Sequence, residues 1–272
     1  MSLYIQMAGI NVHIDGWKTF GLPEKNFQAF YTDKPELYSH SDKISILIQE
    51  VENGAKECTE YRKFGHVENA VRFDYRDWKK EKITFQINPD CYKEEAWNLT
   101  QLFSLAGIHS LFLNRGGILL HASYIIVDGK AVLFTAPSQT GKSTQAELWR
   151  KYGKAEIVNG DRVVLRKREN QWYAHGVPMC GSSDICKNIS AKIKSIVVLE
   201  QGDINRVCPM STIEKYKALY LGSQHYLWDK EESQLIHEIV SEITGTVDII
   251  KLSCTPDRQA VEVLKDYFER NK

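Results

Sequence analysis

Residues that could bind a phosphate group lie in the middle of the chain. The segment from Ala136 to Ser143 fits the pattern G-x-x-x-x-G-K-[ST] at every position except the first, where alanine replaces glycine. In such a loop, successive backbone N–H groups and the N-terminus of the following helix form an anion site. Lys142 can reach the outer phosphates of a nucleotide, and the Ser143 hydroxyl can ligate magnesium. The predicted nucleotide-binding residues are Ser138, Gln139, Thr140, Gly141, Lys142, Ser143 and Thr144.

The segments on either side of this loop favour the phosphate site over a surface turn that caps an ordinary helix. KAVLFT (130–135) predicts a strand, and KSTQAELWRKY (142–152) predicts a helix with Ala146, Trp149 and Tyr152 on one side. Gly153 is the expected end of that helix. Strand, loop and helix together are the context that the motif requires.

The turn before the loop predicts where a histidine lies. Asp128-Gly129 between two alternating apolar runs is a strong signal for a two-residue hairpin turn. Val127 then pairs with Lys130, and the same register places His121 opposite Ala136, at the mouth of the loop. A one-residue bulge would change that register. The loop is therefore expected to follow an antiparallel hairpin rather than a parallel βαβ crossover.

A carboxylate follows the next short apolar strand. Residues 155–158 are succeeded by Asn159-Gly160-Asp161. In a protein with a phosphate loop, this is where an aspartate that binds magnesium or accepts a proton is expected. The alternative is a turn aspartate, because Asn-Gly and Gly-Asp are strong turn formers. The phosphate loop favours the functional interpretation of Asp161.

The rest of this half predicts alternating elements. Ser211 and Glu214 match a capping box, and Thr255 is expected to cap a helix with Pro256 in its first turn. The segment 176–188 is rich in glycine and serine, and is either a loop that folds over a substrate or an ordinary connection. The predicted elements are a hairpin of 162–168 with 171–175, strands at 193–201 and 247–254, and helices at 211–221, 231–245 and 257–270.

The first part of the chain predicts strands. Apolar or alternating runs occur at 4–14, 44–51 and 83–89. After them the period becomes helical, and a single core helix that ends at Gly116-Gly117 is expected. That helix would present Trp97, Leu102, Leu105, His109 and Phe112. The boundary is placed before the helix, so residues 1–93 form a β-rich accessory domain and residues 94–272 an ATP-binding domain.

Composition narrows the function classes. The 272 residues include 35 basic and 35 acidic side chains, so net charge favours neither nucleic acid nor an anionic membrane as a partner. The six cysteines contain no C-x-x-C pair, which indicates neither a zinc cage nor a disulfide framework and fits a reducing cytoplasm. No signal peptide or membrane-spanning run is expected. Exposed strand edges would permit a homo-oligomer.

The order of these motifs resembles the HPr kinase/phosphorylase-like proteins, which are related to phosphoenolpyruvate carboxykinases. The resemblance is carried by GILLHASYIIVDGKAVLFTAPSQTGKSTQAELW, EIVNGDRVVLR, WYAHGVPMCGSS and IVVLEQGDINRV, and spans about residues 115 to 270. It implies an α/β fold with a mixed-sheet P-loop kinase core, preceded here by the β-rich domain. It also implies that the histidine, the loop and the aspartate build one site.

Two positions depart from the family pattern. Gln139 stands where many relatives have glycine, in a loop conformation that requires a positive φ. Gly160 stands where relatives carry the first of two aspartates. Losing that carboxylate removes either a metal ligand or a proton acceptor.

The main hypothesis is an ATP- and Mg²⁺-dependent phosphotransferase that acts on a hydroxyl, either a serine of a small protein or peptide or a small hydroxyl compound. Lys142 would hold phosphates, and Ser143 and Asp161 would hold magnesium. Asp161 would accept the hydroxyl proton, with His121 orienting the acceptor or relaying that proton. The alternative is an ATP-binding regulatory or maturation partner with little catalytic activity, which the two departures motivate. A carboxykinase acting on oxaloacetate is not favoured, because no arginine-rich substrate motif is evident.

Overall fold

The computed structural model describes residues 2–16, 24–32, 42–50, 71–72, 75–87 and 98–271. The chain separates into two compact units, Met1–Arg115 and Gly116–Lys272. No helix in the described part is both long and apolar enough to cross a membrane.

Unit 1 contains a five-stranded mixed sheet in the order β1-β2-β3-β5-β4. Its strands are β1 (Leu3–Met7), β2 (Ile10–Asp15), β3 (Asp42–Glu50), β4 (Val71–Arg72) and β5 (Lys82–Ile87). The outer pairs are antiparallel, and β3 runs parallel to both β2 and β5. Alternating burial along β2 and β5 shows the period of two that the sequence predicts for half-buried strands. Strands are present within all three of the predicted segments.

The single core helix predicted after residue 94 is wrong in its described part. The structure has two short helices, α1 (Leu99–Leu105) and α2 (His109–Leu113). Between them Gly107 has a φ of 66°, a left-handed conformation that ends α1 and that glycine adopts without a Cβ penalty. Trp97 lies outside the described residues.

These helices pack within unit 1. The Trp78 indole N–H donates to the Ala106 carbonyl at 2.7 Å, and the Leu99 N–H donates to the Glu24 carboxylate at 3.0 Å. Arg115 donates to the Trp78 carbonyl at 2.6 Å. The division between the compact units therefore falls after Arg115, whereas the predicted domain boundary precedes the helical segment.

Unit 2 contains the elements predicted for the second half of the chain. Its strands are β6 (Gly117–Val127), β7 (Lys130–Thr135), β8 (Glu156–Asn159), β9 (Arg162–Arg168), β10 (Gln171–Gly176), β11 (Ser190–Gln201), β12 (Arg206–Cys208) and β13 (Ile249–Cys254). Its helices are α3 (Lys142–Gly153), α4 (Thr212–Gly222), α5 (Lys230–Thr246) and α6 (Arg258–Arg270).

The strands of unit 2 form an eight-stranded sheet in the order β10-β9-β6-β7-β11-β13-β12, with β8 paired to β6. β11 is parallel to β7 and β13, whereas β6, β9 and β10 pair antiparallel. β10 also pairs with β11, so five strands close on themselves. The mixed α/β class expected from the sequence is confirmed.

The β6–β7 hairpin has the predicted register. Pairing runs from Val127–Lys130 to Ala122–Thr135. Asp128 and Gly129 have φ values of 51° and 73°, the two positive values that a type I′ turn needs. The N-terminal part of β6 has a different partner, because its first five residues pair with β9. His121 consequently pairs with Arg162 in β9, and the ladder with β7 stops one pair before Ala136.

Helix α3 packs one face on the sheet. The buried residues Lys142, Gln145, Ala146 and Trp149 recur at helical spacing, and the Trp149 ring lies 6.1 Å from that of Phe268 in α6. The core beneath them combines residues of β6, β7, β11 and β13 with α3 and α6. This packing holds the N-terminus of α3 near the C-terminal end of β7.

The predicted end of α3 differs in detail. Gly153 is the last residue of α3, and the left-handed residue is Lys154, with a φ of 56°. Glycine is required at 153 for space, because a Cβ there would lie 2.5 Å from the Trp149 ring.

The capping box of Ser211 with Glu214 is confirmed. The predicted Thr255 cap is wrong, because Asp257 caps α6 by accepting from the Ala260 N–H. Thr255 instead donates its hydroxyl to the Asp257 carboxylate at 2.6 Å, and Pro256 precedes the cap.

Candidate functional site

The loop between β7 and α3 ends in a helix N-terminus that has no side-chain cap. Gly141 occupies the N-cap position with φ 109° and ψ 20°, and no acidic side chain lies in the first turn of α3. The first backbone N–H groups of a helix have no partner within the helix and carry the positive end of its dipole. This helix start is therefore suited to an anion such as phosphate.

Gln139 keeps the backbone conformation expected at its position. Its φ is 64°, so a non-glycine residue occupies the left-handed region within the loop. That conformation costs an L-residue on the order of 1–2 kcal/mol. The departure from glycine therefore adds strain without removing the positive φ.

Lys142 lies over the loop and is 7% exposed. Its ammonium donates to the carbonyls of Ala136 at 3.1 Å and Pro137 at 3.2 Å, and the Thr140 hydroxyl donates to the Pro137 carbonyl at 2.9 Å. Burial lowers the pKa of Lys142, and the negative charge of Asp161 opposes that effect. Lys142 and Asp161 are therefore close enough to interact electrostatically.

His121, Asp161 and Arg162 form a contiguous group. His121 Nδ1 lies 3.2 Å from Asp161 Oδ1, and Arg162 Nε lies 3.2 Å from Asp161 Oδ2. The side chains of His121 and Asp161 are 37% and 25% exposed, so solvent or a ligand can reach them. The cause of the contact is the pairing of His121 with Arg162 across β6 and β9.

These contacts hold Asp161 in its ionised form. The hydrogen bond with His121 is the largest cause lowering the pKa of the Asp161 carboxyl; burial opposes it, and the charges of His121 and Arg162 lower the pKa further. The site therefore presents a carboxylate at neutral pH.

Asn159, which was not among the predicted site residues, positions this carboxylate. It is fully buried, and its Oδ1 accepts from the N–H groups of Asp161 and Arg162, each at 2.9 Å. Its Nδ2 donates to the Val177 carbonyl at 2.8 Å. The Asn-Gly-Asp sequence contained a usable signal, because an asparagine side chain readily bonds the backbone two residues on.

The Gly160 carbonyl connects the phosphate loop to the segment that carries Asp161 by hydrogen bonds. Its carbonyl accepts from the Ser123 hydroxyl at 2.8 Å and from the Ser143 hydroxyl at 3.4 Å. Ser143 therefore lies beside the residue that precedes Asp161. Ser123 was also missed, because it appears in the sequence only as one small residue in an alternating strand.

The segment 176–188 lies against Asp161, and both of its predicted roles stay predictions. A Cβ on Gly181 would lie 2.8 Å from Asp161 Cγ, so glycine permits this close approach. The segment is also attached to β8, since the Lys187 N–H donates to the Val158 carbonyl at 2.9 Å.

Ser183 fills the space that a side chain at position 160 would need. A Cβ on Gly160 would lie 2.3 Å from Ser183 Oγ and 2.4 Å from Ser183 Cβ. Ser183 also donates its hydroxyl to the Cys180 carbonyl at 2.7 Å. The space beside Gly160 is thus filled by a packed neighbour rather than left open.

We expect Gly160→Asp to destabilise the chain by about 1–3 kcal/mol, the usual range for overpacking. The double variant Gly160→Asp with Ser183→Gly should regain most of that loss, because the clashing atoms are removed. Urea unfolding of both variants, with Ser183→Gly alone as the control, measures the difference. A Gly160→Asp chain as stable as wild type would contradict the packing described here.

We expect His121→Ala to raise the pKa of Asp161, because their hydrogen bond is the largest cause of its depression. A carboxyl group whose pKa is lower in the folded chain than in the unfolded chain stabilises the fold at pH values above its unfolded pKa. This stabilisation is lost as the pH falls through the folded pKa. The variant should therefore lose less stability than wild type on acidification through that range. Carboxyl ¹³C titration measures the shift, with Asp257, whose pKa is lowered mainly by its hydrogen bond with Thr255, as the internal reference. An unmoved Asp161 titration would show that the His121 contact is not formed in solution.

The structure brings some of the predicted site residues together and leaves others exposed. The structure brings His121 and Asp161 into contact, places Lys142 within the field of Asp161, and places Ser143 on the Gly160 carbonyl. Ser138, Gln139 and Thr144 are exposed on the loop and the first turn of α3. Their roles in binding stay predictions.

The groups present fit a nucleotide phosphate with magnesium. The uncapped helix start and Lys142 supply donors for phosphate oxygens. Magnesium at nucleotide sites takes one or two protein oxygens and completes its shell with phosphate and water, which a hydroxyl and a carboxylate such as Ser143 and Asp161 could supply. Among the described residues, no group of three or more His, Cys, Asp or Glu side chains is arranged to hold a metal ion.

Comparison with known proteins gives one family match. The model of the family described as SynChlorMet cassette protein ScmC matches residues 86–249. Among solved structures, the HPr(Ser) kinase/phosphatase from Coxiella burnetii is similar over 56% of this chain and 88% of that chain, at 15% identity and a TM-score of 0.31. This similarity is weak and exists only at the level of the fold. No curated protein matches the chain.

Proposed function

This chain belongs to the family described as SynChlorMet cassette protein ScmC, and we propose that it transfers the γ-phosphate of ATP to a hydroxyl group. One observation carries the proposal. An uncapped helix start with its own buried lysine lies beside a histidine–aspartate pair, so an anion site adjoins groups that can handle a proton.

Lys142 and the first N–H groups of α3 bind the phosphates in this proposal. Phosphoryl transfer needs little covalent chemistry from the protein, so positioning and charge stabilisation supply most of the acceleration. Lys142 must exchange its hydrogen bonds with the loop carbonyls of Ala136 and Pro137 for bonds to phosphate oxygens. The low exposure of its side chain strengthens its interaction with those oxygens.

His121 accepts the proton of the attacking hydroxyl. When Nδ1–H of a neutral imidazole donates to Asp161, the other ring nitrogen, Nε2, is left as the acceptor. The depressed pKa of Asp161 makes that carboxylate a weaker base, but suits it to orient His121 and to stabilise the imidazolium. The proton thus moves from the hydroxyl to His121 Nε2, and Asp161 stays charged.

Magnesium would be held by the Ser143 hydroxyl and Asp161, and would supply charge neutralisation for the transferred phosphate. Arg162 orients the second oxygen of Asp161 through its Nε.

Calorimetric titration of ATP, with and without magnesium, tests the phosphate site. We expect binding that depends on magnesium in the wild-type chain. Absence of binding at millimolar ATP by a folded chain would overturn the proposal.

A second candidate is a nucleotide-binding regulatory or maturation partner with little catalysis. The packing of Ser183 into the space beside Gly160 favours it, because this packing leaves no room for a second carboxylate at position 160. It predicts ATP binding without acceptor-dependent loss of the γ-phosphate. Labelled ATP incubated with candidate serine peptides and small hydroxyl compounds separates the two functions.

A further inference from the structure

A second pocket lies at the edge of the unit 2 sheet. Its volume is about 590 Å³, and residues of β12, β13, α4 and α6 line it together with the segment that joins β12 to α4. β12 is the last strand of the sheet and pairs with β13. None of the predicted site residues is among the described residues that line this pocket, which we call the edge pocket. Its volume falls within the range of small-molecule sites, about 300–1,000 Å³.

Part of the lining of the edge pocket is apolar. Ile249 and Ile250, at the start of β13, are buried, and Val207 and Val263 pack against the core of unit 2. These side chains belong to the ordered sheet and to α6, so they offer a fixed apolar surface to the body of a ligand.

Two basic side chains of the lining are available to a ligand. They are Arg206 on β12 and Lys215 on α4. Within the part of the chain that the structure describes, neither side chain forms an ion pair or a hydrogen bond. The acidic neighbour of Lys215 is already engaged, because the Glu214 carboxylate accepts from the Ser211 N–H at 2.8 Å and lies 3.7 Å from the Lys251 ammonium.

The acidic side chains of the lining have other neighbours. Asp248 accepts a hydrogen bond from the Tyr267 hydroxyl at 3.2 Å, and burial together with the Asp248 charge raises the pKa of Tyr267 to about 12, so the hydroxyl remains a donor. Asp266 precedes Arg270 by four residues on α6, a spacing at which opposite charges attract. Because the described lining has three basic and two acidic side chains, it carries an excess of positive charge.

We propose that the edge pocket binds a small organic anion, a carboxylate or a phosphate, that is attached to an apolar body. The anionic group lies on the side of Arg206 and Lys215, since guanidinium and ammonium groups both recognise carboxylate and phosphate oxygens. The apolar body lies on the side of Ile249 and Ile250. A compound that has only the charge or only the apolar body uses half of these contacts and should bind more weakly. This inference goes beyond the proposed function and does not depend on it.

A set of five small probes tests the proposal on the full chain by calorimetric titration. Phenyl phosphate and phenylacetate carry both the charge and the apolar body, inorganic phosphate and acetate carry the charge alone, and phenylacetamide carries the body alone. We expect at least one of the two complete probes to bind about tenfold more tightly than every partial probe. The comparison of phenyl phosphate with phenylacetate identifies which anionic group is preferred.

A cysteine in the lining reports where the probe binds. Cys208 is half-buried in the edge pocket, whereas Cys254 is half-buried at the other end of β13 and is not among the described lining residues. Alkylation of both thiols by N-ethylmaleimide can be followed by peptide mass spectrometry. With a complete probe at about ten times its dissociation constant, alkylation of Cys208 should be about tenfold slower. The rate at Cys254 should not change.

Paired substitutions identify the side chains responsible. Arg206→Gln with Lys215→Gln should weaken binding of the complete probe by about tenfold or more. The matched control is Arg168→Gln with Lys217→Gln, which removes the same two charges at exposed positions of β9 and α4 outside the described lining. It should retain the wild-type affinity. Circular dichroism checks that both double variants are folded.

The Lys142→Ala chain separates the edge pocket from the phosphate loop. Binding that persists in this variant, together with protection of Cys208, supports the edge pocket. Binding that Lys142→Ala loses and that Arg206→Gln with Lys215→Gln retains would locate the probe at the phosphate loop and overturn the edge pocket. An unprotected Cys208, or no binding of any probe, would also overturn it. Neither result affects the transferase, because that proposal is tested with ATP.

Discussion

Lys142→Ala is expected to abolish measurable binding of magnesium-ATP and to lower phosphate transfer by about 10²–10³-fold, the range for loss of one preorganised charged donor. The lysine is buried at the start of α3 and bonded to two loop carbonyls, so its charge is directed at the anion site. Calorimetry and labelled-phosphate transfer measure the two effects. Circular dichroism during heating checks that the variant remains folded.

Lys151→Ala is the matched control for this experiment. Lys151 is exposed in the last turn of the same helix, away from the loop. Its removal changes the net charge by the same amount as Lys142→Ala, but should leave nucleotide binding intact. Equal activity of the Lys142→Ala chain and wild type would remove Lys142 from the mechanism.

Asp161→Asn is expected to lower transfer by about 10²–10⁴-fold while nucleotide binding changes much less. Asparagine keeps the size of the side chain, but removes the charge that orients His121 and would hold magnesium. The Asn159 hydrogen bonds to the backbone at 161 and 162 do not involve the replaced atoms, so the local fold should persist. The rate of acceptor-dependent γ-phosphate loss is the measurement.

Asp184→Asn is the control for this substitution. Asp184 is exposed in the segment beside the site, and its φ of 52° is a conformation that asparagine also tolerates. The same chemical change at that position should leave transfer at the wild-type rate. If the Asp161→Asn chain turned over normally, neither orientation of His121 nor metal binding by Asp161 could be required.

The local elements around the site could be predicted because their signals are short-range. Asp128-Gly129 determines the β6–β7 register through its positive φ values, and the apolar spacing of α3 determines its buried face. The loop pattern alone places Lys142 and Ser143 at a helix start. These features depend on residues that are neighbours in the chain.

The partners of Asp161 could not be predicted in the same way. His121 meets Asp161 because β6 leaves β7 and continues against β9, a change of partner that no local pattern records. Asn159 bonds the backbone of residues 161 and 162 as a local turn former does, but its amide is held in place by the carbonyls of Val177 and Met179, which are distant in sequence. Ser183 approaches Gly160 across 23 positions of chain.

The error in the helical segment has a related cause. The apolar spacing is compatible with one helix, but Gly107 adopts a left-handed conformation and the chain turns. The two resulting helices then pack on unit 1 through Trp78 and Glu24, which are distant in sequence. Apolar periodicity indicates that a helix packs, but not which sheet receives it.

The contact between Gly160 and Ser183 also constrains how this sequence can change over time. A relative with aspartate at 160 needs a residue without a Cβ at 183, or a different course of the segment that carries it. Starting from the present pair, a change to aspartate at position 160 gives a clash if it comes first. A change to glycine at position 183 that comes first removes only a hydroxyl and its two hydrogen bonds. The two positions should therefore covary among relatives, and glycine at 183 should precede the appearance of an acidic residue at 160.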